Sequence, residues 1–216
     1  MNLAFARQSD SSFRVLCLGA HSDDIEIGCG GTILRLLEEN PAAEIHWVVF
    51  GATGPRKAEA LESANIFLAG AKTREVVIKD FRDGYFPQVW AEIKDFFEEL
   101  KKAFRPDLIL THYRDDLHQD HRLVSELTWN TFRNHLILEY EIFKYDGDLG
   151  TPNVFVRLAE PIVRKKIRTI MDCFKSQKDR SWFAEDVFLS ILRLRGMESN
   201  APEKYAEGFY SRKIVY

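Results

Sequence analysis

Two short segments of this 216-residue chain concentrate side chains that can bind a metal ion or transfer a proton. The first, residues 20–31, reads AHSDDIEIGCGG, and the second, residues 112–121, reads HYRDDLHQDH. The second segment alone contains three histidines and three aspartates. Imidazole and carboxylate groups together suit zinc or a similar divalent metal. The two segments therefore predict one catalytic metal site to which both contribute.

A metal site of this kind is suited to hydrolysis. A catalytic zinc typically has three protein ligands and a fourth position for water, whose pKa falls to about 7 on binding. One His and one Asp from the first segment, with one His from the second, supply three ligands. A remaining carboxylate can accept the proton of the water, and a remaining imidazole can face the developing oxyanion.

Each feature also has a structural interpretation that involves no chemistry. Asp23 and Asp24 are typical of a solvated turn or helix start, and His118 and His121 of capping or surface positions. The glycines within residues 28–31 lack the G-x-G-x-x-G register of a dinucleotide-binding loop, and close packing where a helix begins explains them better. The occurrence of two such segments, each after an apolar run, favours the metal site.

The hydrophobic pattern predicts how the chain positions these segments. Four apolar runs have the character of strands buried on both faces, and stretches of helical spacing separate them. This alternation predicts an α/β fold with a doubly wound, mostly parallel sheet and helices on both faces. Both segments lie at carboxyl ends of strands, where such sheets bind ligands. The predicted strands are 14–20, 44–50, 75–80 and 107–112, and the helices 31–40, 55–70 and 86–104.

Beyond His121 the pattern predicts extra C-terminal strands and helices. The helices are 121–135, 161–176 and 184–196, the strands 137–148 and 153–160, and a β-prone tail covers 205–216. No repeat or linker divides the chain, so we expect one domain over residues 1–216, with the polar residues 1–12 frayed.

The composition excludes several classes of function. Hydrophobic residues make up 45% and charged residues 29% of the chain, as in ordinary globular proteins. A net charge of −3 offers no basic surface for nucleic acid. No charge-free stretch of about 18 residues predicts a transmembrane helix. Three widely spaced cysteines and the lack of a secretory signal favour a cytoplasmic location.

The two segments resemble the motifs of a known family. AHSDD followed by E-x-G-x-G-G-T, with HQDH later in the chain, is similar to the PIG-L (LmbE-like) N-acetylglucosaminyl deacetylases, which usually carry A-H-P-D-D and H-P-D-H. The likeness covers roughly residues 13–135 well and the remainder loosely. It implies a Rossmann-like fold and a hydrolase with one zinc, or another divalent metal, per chain. Such an enzyme removes the acetyl group from an N-acetylated amino sugar or its conjugate, as in glycan biosynthesis.

The resemblance also implies the residues that bind the metal and activate water. By motif matching, His21, Asp24 and His121 are the zinc ligands. Asp23 is the general base, which takes a proton from the attacking water and delivers it to the leaving amine.

Four further residues would complete the site by the same matching. His118 stabilises the oxyanion or acts as the acid, and Asp120 orients His118. Arg56 and Asp83 are expected to contact the sugar. Alternatively, Arg56 pairs with Glu59 on its own helix.

The chain departs from the family pattern at two prolines. Ser22 and Gln119 stand where proline is usual, and the loss of a fixed φ at Ser22 changes neither a ligand nor the base. Near the end, Tyr205-Ala206-Glu207 matches a recurring Y-A-E segment to which we assign no role from sequence.

Two other functions stay open at this point. A two-metal phosphoesterase could use Asp115, Asp116 and Asp120 as extra ligands, and two metals per chain would favour it. A non-catalytic sugar-binding protein on the same scaffold would need neither Asp23 nor His118. The expected partner is a small-molecule N-acetylated sugar or glycoconjugate whose carrier the sequence does not identify, and homo-oligomerisation is left open.

Overall fold

Seven strands form one sheet in the computed structural model, which describes residues 12–214. They are β1 (Arg14–His21), β2 (Glu44–Gly51), β3 (Thr73–Ile78), β4 (Leu108–His112), β5 (Leu136–Tyr140), β6 (Val154–Arg157) and β7 (Ala206–Tyr210). Their order across the sheet is β3-β2-β1-β4-β5-β7-β6. The five strands from β3 to β5 pair in parallel, and β7 runs antiparallel between β5 and β6. The predicted α/β class with a mostly parallel sheet is confirmed.

Six α-helices of the described chain cover the two faces of this sheet. They are α1 (Asp24–Glu39), α2 (Gly54–Phe67), α3 (Trp90–Ala103), α4 (Gln119–Thr131), α5 (Glu160–Cys173) and α6 (Glu185–Glu198). One apolar core lies under α1, α2, α5 and α6, and a second lies under α3 and α4. In β1, Val15 and Cys17 belong to the first core, and Leu16 and Leu18 to the second. This two-sided burial explains the continuous apolar runs of the sequence.

The first segment predicted to bind metal is mostly helix, which corrects the predicted helix start at residue 31. α1 begins at Asp24, so only Ser22 and Asp23 separate it from β1. The three glycines in its first two turns conceal the helix in the sequence, because glycine is a poor helix former.

Close packing requires these glycines. A Cβ on Gly28 would lie 2.1 Å from Tyr140 Cδ2, and one on Gly31 would lie 2.5 Å from Leu158 Cδ1. Tertiary contacts therefore stabilise α1 where its intrinsic helix propensity is low. Close packing was also the interpretation of these glycines from sequence.

The C-terminal third differs most from its predicted elements. β5 ends at Tyr140 rather than near residue 148, because the chain turns there into a loop in which Lys144 pairs with Asp148. The tail adds β7 to the sheet between β5 and β6, an insertion that no local pattern predicts.

Two expectations fall largely outside the described residues. The predicted fraying concerns residues 1–12, of which the structure describes only Ser12, and the aromatic tail ends at Tyr216, which is also not described. Among the helices of residues 12–214, none combines the length and apolarity needed to cross a bilayer.

Candidate active site

The carboxyl ends of the parallel strands bring distant segments of the chain together. β1 ends at His21 and its neighbour β4 ends at His112. The chain after β2 enters α2 with Arg56, and the loop after β3 carries Asp83. His118 precedes α4 directly. The predicted site residues therefore share one edge of the sheet, where α/β proteins bind ligands.

His21, Asp24 and His121 present one donor atom each to a common point. His21 Nδ1 lies 3.1 Å from His121 Nε2 and 3.4 Å from Asp24 Oδ2. His121 Nε2 lies 3.5 Å from the same carboxylate oxygen, and all three residues are buried. Ligands held about 2.0–2.1 Å from a tetrahedral zinc are about 3.3–3.4 Å apart. The spacing of the three donor atoms therefore fits zinc.

The other ring nitrogen of each histidine contacts a buried carboxylate. His21 Nε2 lies 3.2 Å from Asp120 Oδ2, and His121 Nδ1 lies 3.0 Å from Asp116 Oδ2. Metal-binding histidines commonly donate their second N–H to a carboxylate, which fixes the orientation and tautomer of the ring. These contacts support the fit to a metal independently of the donor spacing.

The electrostatic environment favours a positive charge on the His21 ring. Burial alone lowers the pKa of His21, but hydrogen bonds to Asp120 and Asp24 outweigh it and raise the pKa well above its ordinary value. Burial opposes ionisation of Asp24, yet His121 and His112 hold the pKa of Asp24 well below its usual range. Burial lowers the pKa of His121 to about 4, so this imidazole is neutral near pH 7 and able to bind a metal.

His112 also belongs to this cluster, although the sequence interpretation did not use it. Its Nε2 accepts a hydrogen bond from the backbone N–H of Ala20 at 2.9 Å, and its ring stacks on His121 with 4.0 Å between centroids. Three sets of side chains in the described chain hold potential ligand atoms within 4.8 Å of one another. They are His21 with His118 and His121; His21 with Asp83, His118 and Asp120; and Asp24 with His112 and His121.

Arg56 holds the carboxylate of Asp23 at the edge of the cluster. Arg56 Nη2 donates to Asp23 Oδ1 at 2.8 Å, and Arg56 Nε donates to Ser22 Oγ at 2.7 Å. Burial raises the pKa of Asp23 above its usual value, although Arg56 acts in the opposite direction. The alternative pairing of Arg56 with Glu59 is wrong, because Glu59 accepts hydrogen bonds from the backbone N–H and the hydroxyl of Ser176.

His118 caps α4 and is presented to the cluster as a neutral imidazole. The backbone N–H of Asp120 donates to His118 Nδ1 at 3.2 Å, so the ring proton is on Nε2. Burial lowers the pKa of His118. The Asp120 carboxylate accepts instead from the N–H groups of Gly84 and Phe86, at 2.6 and 3.1 Å. Asp120 therefore contacts His118 through its backbone and His21 through its side chain, which differs from the orienting contact expected from sequence.

The two expected sugar contacts differ in accessibility. Asp83 Oδ1 lies 3.1 Å from His21 Nε2, and the Asp83 side chain is 66% exposed. The hydrogen bond from His21 lowers the pKa of Asp83, which keeps this carboxylate ionised. The Arg56 side chain is 31% exposed while it pairs with Asp23. A ligand can therefore reach Asp83 more freely than Arg56.

Two residues support His121 without having been assigned that role from sequence. Asp116, which we considered only as an extra ligand of a phosphoesterase, contacts His121 Nδ1. Lys144 Nζ lies 2.8 Å from Asp116 Oδ2 and 2.6 Å from Asp148 Oδ2. The position of Asp116 within the second predicted segment was a usable signal, whereas no pattern in the sequence connects Lys144 with the site.

Comparison with known proteins agrees with the motifs. The family model of PIG-L, described as GlcNAc-PI de-N-acetylase, matches residues 16–132. The chain belongs to the PIG-L family. The matched part of this PIG-L chain runs from β1 into the loop after α4 and contains every predicted site residue. Lys144 lies beyond it.

Solved structures share the fold of this PIG-L chain. A conserved protein from Thermus thermophilus is 20% identical with a TM-score of 0.73, over 94% of this chain and 96% of the other. The N,N′-diacetylchitobiose deacetylase from Pyrococcus horikoshii is 22% identical with a TM-score of 0.65, over 92% and 83%. GalB, the 4-carboxy-2-hydroxymuconate hydratase from Pseudomonas putida, is 18% identical with a TM-score of 0.70, over 94% and 98%. Family membership supports a deacetylase, while the hydratase means that the reaction must be argued from the site.

Proposed function

We propose that this chain is a zinc-dependent deacetylase that hydrolyses the N-acetyl group of an amino sugar or its conjugate. The observation that carries the proposal is the convergence of His21 Nδ1, Asp24 Oδ2 and His121 Nε2 within 3.1–3.5 Å of one another. One zinc held by these atoms would supply a Lewis acid that polarises the amide carbonyl and lowers the pKa of water. The family and the deacetylase among the structural neighbours support the reaction class.

Asp23 is suited to accept a proton from the attacking water. Arg56 fixes the carboxylate through Oδ1, and the raised pKa of Asp23 brings it nearer to neutral pH, where a general base is most effective. The same carboxyl group then delivers the proton to the departing amine, so that acetate and a free amine result.

His118 is suited to stabilise the oxyanion that forms from the amide oxygen. Since its Nδ1 accepts from the backbone N–H of Asp120, its Nε2 carries the proton that a developing oxyanion needs. Asp83 and Arg56 would contact sugar hydroxyl groups, and such contacts discriminate strongly, because an analogue without the hydroxyl leaves buried polar groups unpaired.

Release of amine from N-acetylated sugars tests this function. The panel comprises free N-acetylglucosamine, N,N′-diacetylchitobiose, a nucleotide-linked and an inositol-linked N-acetylglucosamine. We expect hydrolysis of at least one member, its loss after removal of metal with a chelator, and its recovery with one equivalent of zinc. Binding of a panel member without any amine release, in protein that holds one zinc per chain, would instead support a sugar-binding protein.

Two of the three carboxylates that a two-metal phosphoesterase would use make other contacts. Asp116 pairs with His121 and Lys144, and Asp115 is 63% exposed and lies beside Arg114. Hydrolysis of a phosphate ester that rises with a second equivalent of metal would support this rival against the deacetylase.

The cysteines agree with a cytoplasmic protein, which we propose as its location. Cys17, Cys29 and Cys173 are all free and buried, so none takes part in a disulfide of the kind that stabilises secreted domains.

A further inference from the structure

The guanidinium of Arg56 is held through two of its three nitrogens. Its Nε donates to Ser22 Oγ at 2.7 Å, and its Nη2 donates to Asp23 Oδ1 at 2.8 Å. Within the described residues, its Nη1 has no hydrogen-bond acceptor. Because the guanidinium is planar and its donors form a rigid fork, the two bonds also set the direction of Nη1. The side chain is 31% exposed, so a ligand can reach it.

Ser22 is fully buried, and its hydroxyl makes no other hydrogen bond in the described part of the chain. A buried hydroxyl without a partner is costly, so the contact with Arg56 satisfies both groups. The PIG-L motif usually has proline at this position, and proline fixes φ through its ring but has no hydroxyl. The chain therefore has a hydrogen bond to Arg56 where proline would supply a fixed φ.

The second residue that replaces a motif proline, Gln119, makes a corresponding contact with the loop after β3. Gln119 Nε2 donates to the carbonyl of Gly84 at 3.0 Å, and the N–H of Gly84 donates to Asp120 Oδ2 at 2.6 Å. Gly84 has a φ of +81°, in a turn closed by a hydrogen bond from the N–H of Tyr85 to the carbonyl of Arg82. Both backbone polar groups of Gly84 are therefore tied to the first turn of α4.

Asp83 lies in the same turn, directly before Gly84, with its side chain 66% exposed. The two groups that the proposed function assigns to the sugar, Arg56 and Asp83, are thus held by the two residues that replace the motif prolines. We propose that Ser22 and Gln119 are positioning residues, which hold Arg56 and the turn of Asp83 in place for the substrate. The identity of that substrate rests on the proposed function, whereas the positioning does not.

Steady-state hydrolysis of N,N′-diacetylchitobiose by the zinc-loaded full chain tests the effect on substrate binding. Ser22→Ala and Gln119→Ala should each raise KM about 2- to 10-fold, the effect of one typical hydrogen bond, and leave kcat within about a factor of two. The effects should multiply in the double variant, because the two contacts share no partner. The matched controls are Ser125→Ala, which removes a buried hydroxyl without a partner, and Gln88→Ala, at an exposed glutamine. Both controls should keep the KM of wild type.

A proline variant separates the hydrogen bond from the stiffness of the loop. Ser22→Pro restores a fixed φ but lacks the hydroxyl, so its KM should match that of Ser22→Ala. A KM equal to that of wild type in Ser22→Pro would overturn the role of the hydroxyl. A fall in kcat at unchanged KM in Ser22→Ala would also overturn the proposal, because Ser22 would then act on Asp23 rather than on the substrate.

Hydrogen exchange measured by NMR tests the positioning without any substrate. Compared with wild type, exchange with water should be at least about twofold faster for the Arg56 Nε–H in Ser22→Ala, and for the Gly84 N–H in Gln119→Ala. Unchanged exchange at either group would overturn the positioning role of the residue replaced. If no N-acetylated sugar is hydrolysed, the proposed function fails, while the exchange rates still decide whether Ser22 and Gln119 hold these groups.

Discussion

The side chains proposed to carry out chemistry and the side chains that hold them come from different parts of the chain. The proposed metal ligands, base and oxyanion donor lie between residues 21 and 121, whereas residues beyond 135 supply buried contacts behind them. Lys144 contacts Asp116, which in turn contacts His121. The hydroxyl of Tyr140 donates to the backbone carbonyl of Leu18 in β1 at 2.6 Å. The comparison teaches that the C-terminal third is a support for the site, although it carries none of the motif residues.

The clearest example of this support is Glu207, the last residue of the Y-A-E segment. Its carboxylate accepts from the backbone N–H groups of Gly31 and Thr32, at 2.8 and 2.7 Å, in the helix that begins with Asp24. Lys166 donates to the same carboxylate at 2.6 Å and to the carbonyl of Ile27 at 2.7 Å. A buried ion pair thereby ties β7 and α5 to α1, which gives the Y-A-E segment a structural role.

Of the variants that separate the two regions, Asp23→Asn is expected to have the largest effect, which is on catalysis. Loss of the proposed general base should lower acetate release by about 10²–10⁴-fold, because proton transfer by a positioned side chain contributes that much. Zinc content after dialysis should equal that of wild type, since Asp23 is not a proposed ligand. Activity within a factor of two of wild type would remove Asp23 from its role.

Glu207→Gln should destabilise the fold without removing the chemistry. It leaves the Lys166 ammonium buried without a charged partner, which typically costs about 3–5 kcal/mol. Urea unfolding measures the loss, and zinc content per folded molecule should stay near one. The double variant Lys166→Met with Glu207→Gln should recover part of the stability, because no charge is then stranded. A single variant as stable as wild type would mean that the pair does not hold α1.

Lys144→Met should weaken metal binding by about 10-fold or more, as expected when a group behind a ligand is lost. The change leaves Asp116 without its ammonium partner, so that the carboxylate orients His121 less firmly. Competition with a chromophoric chelator measures the affinity. Lys178→Met, at an exposed lysine of the same third of the chain, is the control. Equal zinc affinity in Lys144→Met and Lys178→Met would contradict the proposal that residues beyond 135 support the metal site.

Proton release on zinc binding is expected to give the smallest signal, and it depends only on side chains between residues 21 and 121. The raised pKa of His21 means that its imidazole is protonated in metal-free protein at neutral pH, and a cation on Nδ1 must displace a proton. Since the low pKa of Asp24 and the pKa of about 4 for His121 leave both groups deprotonated, we expect about one proton per zinc at pH 7. Calorimetry in buffers of different ionisation enthalpy measures it, and a value near zero would contradict the assignment of His21.

The parallel half of the fold could be predicted from sequence because its signals are local. Strands buried on both faces leave continuous apolar runs, and the motifs proposed to bind metal follow two of them directly. The start of α1 could not be predicted, because Gly28 and Gly31 are explained by contacts with Tyr140 and Leu158, more than a hundred residues away. The insertion of β7 between β5 and β6 is non-local in the same way.

Within the site, residue types were easier to predict than their partners. The motifs drew attention to Arg56 and Asp120, yet the pairing of Arg56 with Asp23, and of the Asp120 carboxylate with His21, depends on the geometry of three strand ends. His112 was one of the three histidines of the second segment but was given no role from sequence. Lys144 left no signal, since a lysine in a loop is an ordinary feature of any chain.

The most direct test of the account is anomalous diffraction at the zinc edge, from crystals of the protein loaded with one equivalent of zinc. The account predicts one strong peak at about 2.0–2.1 Å from His21 Nδ1, Asp24 Oδ2 and His121 Nε2. A peak at any other position, or a zinc bound by only one of these three residues, would contradict it.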